Sequence, residues 1–466
     1  EVTARVKLVS GPSFPFVRIS GYAGDANGDQ VTNIEKLGPL IQLTEFGKVY
    51  TVRAIIGTGE RTGVDMVWGT NPVFGHIGVD VQGDPGTVVR IESILIEDKT
   101  SVFHRKLMDV VDVRDFGALG DGVKDDANAF ETADANAAGR VVIVPEGTYY
   151  LGKNVTMTSP VRFTGTVIQP DDKRLALRAN FDFPTYAEAY GDETLGFKKG
   201  LQALFYFNDH EAFDLAGRTI NLTEPIDVFS VVGGVTSQGD RRVLRNGQLV
   251  AEDTGAWAPD IVTSTASYTA SNPGRLTNVA NIGGIAVGSL VEGFGVGREV
   301  YVRAKDDATG EITLSQPLYN AAGSQSYTFT RNKYMLDFSG FTRINAFNID
   351  AVQFLGEKRG CGVMLPPDGI WWIIRNCWFT QTGVRGITSP GDACQGITID
   401  QCEFLASDAD ELVQNRTSVG FNTNKNDAKI RDNRCINLRH FGVIGGNGNL
   451  VLGNHFWQLD TAAEGE

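Results

Sequence analysis

FNIDAVQF (347–354), WIIRNCWF (372–379), ITIDQCEF (397–404), AKIRDNRC (428–435) and LVLGNHFW (450–457) repeat one cadence along the last third of the chain. An apolar leader is followed five positions later by an aromatic residue or Cys: Ile349/Phe354, Ile374/Phe379, Ile399/Phe404, Ile430/Cys435 and Leu452/Trp457. Another apolar residue precedes each leader by two: Phe347, Trp372, Ile397, Ala428 and Leu450. Period-2 alternation inside a repeat of roughly 20–30 residues predicts short stacked strands rather than helices, hence a parallel β-solenoid. Two positions after the leader come Asn376, Gln401, Asp432 and Asn454, with Ala351 breaking the series. Amides stacked at about 4.8 Å can hydrogen-bond along a coil axis. Solenoids offer long binding surfaces.

Composition narrows the function classes. A chain of 466 residues exceeds one compact core and predicts two to four domains. Gly 55 against Pro 16, with few helix-forming blocks, favours an all-β fold rich in turns. A net charge of −14 argues against nucleic acid as a partner and against an anionic membrane surface. No run approaches ~18 apolar residues, so no membrane insertion is expected. An acidic polysaccharide stays open, because a local Arg/Lys groove can exist on an acidic protein. The chain starts at Glu1 and ends in TAAEGE directly after a strand, which predicts a natural protein that continues.

Cys361, Cys377, Cys394, Cys402 and Cys435 all lie in the solenoid third, an odd count that does not read as a disulfide framework. Cys377 and Cys402 share a repeat position and are expected to stack as buried thiols. His76, His104, His210, His440 and His455 are scattered, so neither a metal site nor a cofactor is expected.

Residues 1–106 alternate in short strands separated by Gly/Asp/Asn turns, which predicts a β-sandwich serving as a carbohydrate-binding or particle-attachment module. A cap and the first part of a β-helix follow over 107–265, a small β insert over 266–335, and β-helix coils over 336–466. The cap reads as a strand at Val110–Val113, a glycine-rich turn at 117–122, and a helix over Ala127–Ala138 capped by Asp125 or Asp126. The run DVRDFGALGDGVKDDANAF, followed by VVIVPEGTYYL, resembles the opening of the pectate-lyase-3-like right-handed β-helix superfamily. That superfamily includes polysaccharide lyases, glycoside hydrolases and phage tailspikes. The block ETLGFKKGLQALFYFNDHEAFDLAGRTINLTEPIDV (193–228) is similar to tailspike β-helices. A narrower resemblance is to the polysaccharide-binding head spikes of alphaproteobacterial gene transfer agents, which are phage-like particles.

Candidate site residues fall in three groups. The residues after the leaders, Asp350, Arg375, Asp400, Arg431 and then Gly453, form an alternating charge ladder that keeps register and can also meet sugar hydroxyls and uronate carboxylates. The loop SDADELVQN places Asp408, Asp410 and Glu411 at the solenoid edge, with Asp392 or Asp400 of the neighbouring coil as the candidate partner carboxylate. Glycosidases need two carboxylates roughly 5–9.5 Å apart, one of them protonated. A lyase would instead need a base with Arg, Lys or Ca²⁺ beside it, and Arg385, Arg416 and Lys425 are the available cations. Trp371 and Trp378 are sugar-stacking candidates, Trp372 and Trp457 read with the repeat, and Trp68 with Tyr50, Phe74 and Arg53 would serve the N-terminal module. Gly293-Phe294-Gly295-Val296-Gly297 lies between strands and reads as a tight turn, not a phosphate loop. Gly120-Asp121-Gly122 reads as capping, not metal ligation.

The resemblance implies a receptor-binding spike on the surface of a virion or phage-like particle, assembled in the bacterial cytoplasm. Such a spike would be a homotrimer whose partners are bacterial capsular polysaccharide and particle structural proteins. The alternative is a depolymerase of the same fold, a hydrolase or a lyase, and a purely structural β-module is the third reading.

Overall fold

The computed structural model describes residues 1–59, 63–100, 110–206 and 212–458. The boundary expected at 106, along with His104 and His210, lies outside the described residues. The chain divides into two compact units, Glu1–Val111 and Asp112–Glu466.

In the first unit, Val2–Ser10 pairs antiparallel with Val49–Ala54 on one side and Val88–Ile96 on the other. A second sheet orders Ile41–Gln42, Phe16–Gly24 and Phe74–Gln82. Val2, Ala4, Val6 and Leu8 alternate inward against Val17, Ile19, Val52 and Ala54. Period-2 patterning has produced a two-layer sandwich with one polar and one apolar face on each central strand.

The second unit opens with the cap. Its helix covers Ala127–Ala135, three residues short of the expected end at Ala138. The two adjacent carboxylates divide the work: Asp125 Oδ1 accepts from Ala127 N and Gly152 N, while Asp126 accepts from Leu119 N and Gly120 N in the glycine-rich turn. Two further helices, Phe183–Tyr190 and Glu193–Leu204, fall where the strand-based reading had no helix. Each is capped by an Asp side chain: Asp182 accepts from Thr185 N and Asp192 from Leu195 N.

Above the cap stands a right-handed parallel β-helix. One sheet runs through Arg242–Ala251 and Phe347–Leu355, then splits into two short strands per coil, such as Ile373–Arg375 and Trp378–Thr380. The other orders Ile226–Asp227, Tyr334–Asp337, Cys361–Met364, Arg385–Thr388, Val419–Thr423 and His440–Ile444. Leu244, Ile349, Ile374, Ile399 and Ile430 stack in one column, and the last member is Val451, not Leu452. Phe456, not Trp457, likewise continues the Phe354–Phe379–Phe404–Cys435 column. A one-residue slip exchanges faces, and LVL is apolar in both registers.

The correct register explains the position two after the leader. Ala351, Asn376, Gln401, Asp432 and Gly453 all have positive φ, so this is a left-handed corner, inside one strand at Ala351 and between two strands in the later coils, rather than an amide ladder. Asn, Asp and Gly tolerate that conformation most readily. The stacked amides sit one place further on: Asn433 Nδ2 donates to Asn454 Oδ1 and Ile399 O, and Asn433 Oδ1 accepts from Cys402 N. Cys377 and Cys402 occupy the same column lower down, buried, with the Cys377 thiol pushed up by burial.

The interior is set by ring stacking. Phe354, Phe379 and Phe404 lie 4.9 and 4.8 Å apart with their planes within 3° and 5°, which is the spacing of the strands themselves. Opposite them stand glycines. A Cβ on Gly362 would lie 2.8 Å from the Phe379 ring, and one on Gly386 3.0 Å from that of Phe404.

The insert is a small β body. Asp260–Tyr268 pairs with Gly323–Arg331, starting upstream of the expected residue 266, around a core that includes Tyr327, Phe329, Val302 and Ile312. It packs on the second solenoid sheet, where Cys361–Met364, Arg385–Thr388 and Val419–Thr423 are buried at every residue. Glu299 of the insert takes Arg385 of the solenoid in a buried ion pair at 2.7 Å.

Candidate functional site

Parallel register places the residue after each leader on the outer face, one strand spacing apart. The resulting ladder begins below the expected coils. Arg245 pairs with Asp214 at 3.0 Å, Arg375 with Asp350 at 2.7 Å and Arg431 with Asp400 at 2.9 Å. Leu452, not Gly453, closes the column. Arg431 grips Asp400 through both Nε and Nη2, the forked geometry that suits a guanidinium. Burial raises the Asp350 carboxyl, yet hydrogen bonds from Arg375 and Asn376 outweigh it and leave the group below its usual range. The charges of this ladder are therefore directed at one another.

The acidic loop is tied down in the same way. Asp408 accepts from Thr417 N, Ser418 N and Ser418 Oγ, which closes the loop on itself. Asp410 pairs with Lys358 at 2.9 Å, and that ammonium pulls its carboxyl down. Glu411 is exposed, and its backbone carbonyl accepts from Arg416 Nε. Asp392 is held by Arg303 at 3.0 Å and Lys425 at 3.3 Å. A general acid must keep its proton near neutral pH, which calls for burial or a neighbouring negative charge. Asp400, Asp408 and Asp410 have cations or donors as partners instead.

The tryptophans are dispersed. Trp371 is 63 % exposed with φ +63°, its ring lying over Gly396. Trp378 is 46 % exposed between Gln353 and Glu403 of the neighbouring coils. Trp372 is fully buried and donates to Ile344 O. Trp68, in the N-terminal unit, donates to Glu35 O and rests on Gly21 and Gly75, a packing role.

What the structure brings together went unseen in the sequence. The loop before the insert and the coil loops beneath it enclose a hollow of about 400 Å³ that includes Asp253, Trp257, Lys333, Lys358, Arg359 and Val384 in its lining. Three cations converge there, the adjacent Lys358 and Arg359 from a coil loop and Lys333 from the end of the insert. Lys333 pairs with Asp260 at 2.6 Å, and Arg359 with Asp253 at 3.4 Å, where the Asp253 side chain is 89 % exposed. These rim pairs are solvated and cheap to rearrange. Trp257 is buried, and its Nε1 has no acceptor among the described residues, an arrangement that costs about 1–3 kcal/mol. The one legible signal was the adjacent Lys358-Arg359 in a coil loop.

Residues 110–201 match the family described as rhamnogalacturonase A/epimerase, pectate lyase-like. A polygalacturonase of Persea americana is 44% identical over 71 residues, which is 14% of this chain and 15% of that relative. The chain therefore matches only a small part of that relative's length. Among solved structures, the surface adhesin PfbA of Streptococcus pneumoniae aligns at 11% identity over 74% of this chain and 71% of its own, with a TM-score of 0.23. The N-terminal fragment of bacteriophage Phi29 gene product 12 aligns at 14% over 74% and 43%, with a TM-score of 0.19. An exopolygalacturonase from Thermotoga maritima aligns at 11% over 72% and 75%, with a TM-score of 0.24. The chain thus opens its solenoid with a pectate-lyase-like segment and carries it on as a right-handed parallel β-helix.

Proposed function

We propose that this chain is a glycan-binding β-helix protein, the receptor-binding part of a spike on a phage or phage-like particle, directed at bacterial surface polysaccharide. The observation that carries the glycan-binding part is the hollow beside the insert. Lys333, Lys358 and Arg359 line it beside Trp257, held by rim ion pairs with Asp260, Asp410 and Asp253 that a ligand can displace, and such cations suit sugar hydroxyls and carboxylates. The acids nearby are salt-bridged, which favours holding a glycan over cutting it. The spike reading carries a homotrimer with it and rests on the tailspike-like segment at 193–228, which follows a cap that tailspikes share with lyases and hydrolases. The head spike of a gene transfer agent is its narrowest form.

A depolymerase of the same fold is the second reading, favoured by the pectate-lyase-like match at 110–201. That match ends before every residue of the hollow. The test is binding of the labelled chain to encapsulated bacteria and to their acapsular mutants. Capsule-dependent binding supports the proposal, and equal binding to both strains contradicts it.

A further inference from the structure

A second hollow, of about 240 Å³, lies between the insert and the upper coils, and its lining includes Arg298, Glu299, Arg385, Arg416, Arg439 and His440. Four guanidiniums on a chain of net charge −14 are a local reversal of sign. Two of them are committed. Arg385 forks onto Glu299 through Nε and Nη2, and Arg416 donates to the carbonyls of Ala409, Glu411 and Asn437 and to Gln458. Arg439 uses Nη1 on Val413 O. Arg298 is exposed, and its guanidinium has no hydrogen bond or ion pair among the described residues. The His440 ring is likewise unbonded there, and burial together with Arg298 and Arg439 lowers its pKa below 6.5. A neutral imidazole suits a hydroxyl partner.

Beside this hollow the insert ends in two large exposed aromatics. The turn Gly293–Gly297 carries Phe294, 78 % exposed, and the facing loop carries Tyr319, 87 % exposed. The loops are joined by Tyr319 N donating to Val296 O at 3.1 Å and Asn320 N to Gly295 O at 2.8 Å. Gly295 has φ +68°, and a Cβ there would meet Asn320 O at 2.5 Å, so the close approach needs glycine. Gly297 completes the link: a Cβ on it would sit 3.4 Å from Tyr319 Cβ, and Gly297 itself lines the hollow next to Arg298.

Resting on the glycan-binding reading, we propose that this hollow and its aromatic tip form a subsite for a carboxylate-bearing sugar residue of an acidic polysaccharide. Arg298 and Arg439 take the carboxylate, His440 meets a ring hydroxyl, and Tyr319 stacks on the apolar face of the pyranose. A planar fork matches a carboxylate, and Glu292 in the same lining offsets part of the positive charge.

The test uses the full chain and a panel of bacterial capsular polysaccharides, neutral and uronate-containing. Each uronate polymer is offered native and with its carboxyl groups reduced to alcohols. Arg298→Ala and Tyr319→Ala are surface changes that leave the core untouched. The wild type is expected to bind a native uronate polymer about tenfold or more tighter than its reduced form, with Arg298→Ala erasing that preference. Tyr319→Ala is expected to weaken both forms alike. Wild-type binding that ignores carboxyl reduction, or that both variants retain in full, overturns the subsite and leaves the glycan-binding reading standing. Wild type that binds no polymer in the panel sinks that reading, and the subsite falls with it.

Discussion

Arg385 Nη2 lies 2.7 Å from Glu299 Oε1 and Arg385 Nε 2.9 Å from Glu299 Oε2, with both side chains more than nine-tenths buried. The phenol of Tyr301 donates to the same carboxylate. This pair fastens an independently cored β body onto a solenoid sheet, and both of its members line the second hollow. Removing one partner strands a charge in a dry place. Glu299→Ala and Arg385→Met are each expected to cost about 3–5 kcal/mol in urea unfolding. The double replacement by apolar residues should lose much less than the sum of the singles. Additive losses would show that the pair does not couple insert to solenoid.

The phenylalanine stack makes a second prediction. Phe379 is sandwiched between Phe354 and Phe404, and its ring also fills the space left by Gly362. Phe379→Ala opens a cavity in the middle of the stack and is expected to destabilise by about 3–5 kcal/mol. Gly386→Ala overpacks the same interior, where the new Cβ meets Gly420 O at 2.4 Å, and is expected to cost about 1–3 kcal/mol. Chemical denaturation midpoints of the two variants check both values.

A pH dependence follows from Asp350. Its folded-state pKa lies below the ordinary 3.8, since Arg375 and Asn376 outweigh the effect of burial. Between the two values the unfolded chain binds more protons, so stability rises with pH there. The contribution is complete above 3.8 and is lost as pH falls through the folded value. Asp350→Asn should therefore be less stable than wild type at neutral pH, and the gap should close on acidification. A gap that stays constant from neutral to acid pH would show that the rung owes nothing to charge.

The acidic loop separates a structural role from a catalytic one. Asp408→Ala leaves Thr417 N, Ser418 N and the Ser418 hydroxyl without their acceptor. Faster amide exchange across 406–418 is the expected result. Asp410→Asn removes an exposed pair, which solvent screens, and is expected to leave stability near wild type.

The solenoid was legible because its physics is local: alternation within a strand and return of the same pattern one coil later. That legibility failed at LVLGNHFW, where apolar residues fill both registers and only Gly453 at the corner and Asn454 above Asn433 decide. The helices at 183–204 were signalled by Asp182 and Asp192 as caps, though their buried Phe and Gly content masks the helical period. The charge ladder could be read because its partners occupy one repeat position. The hollows could not, because Trp257, Lys333 and Lys358, or Arg298 and His440, meet only after the insert folds back onto the coils. The acid loop drew notice as a cluster of carboxylates, while its partners, Lys358 and the 417–418 backbone, lay elsewhere in the sequence.

Size exclusion of a capsular polysaccharide before and after incubation with the chain, with bound protein measured in the same fractions, tests the central claim most directly. Protein that co-elutes with polymer of unchanged length is the predicted result. Shortened polymer would contradict it and make the chain a depolymerase, and a rise in the ultraviolet absorbance of unsaturated sugar ends would mark it as a lyase.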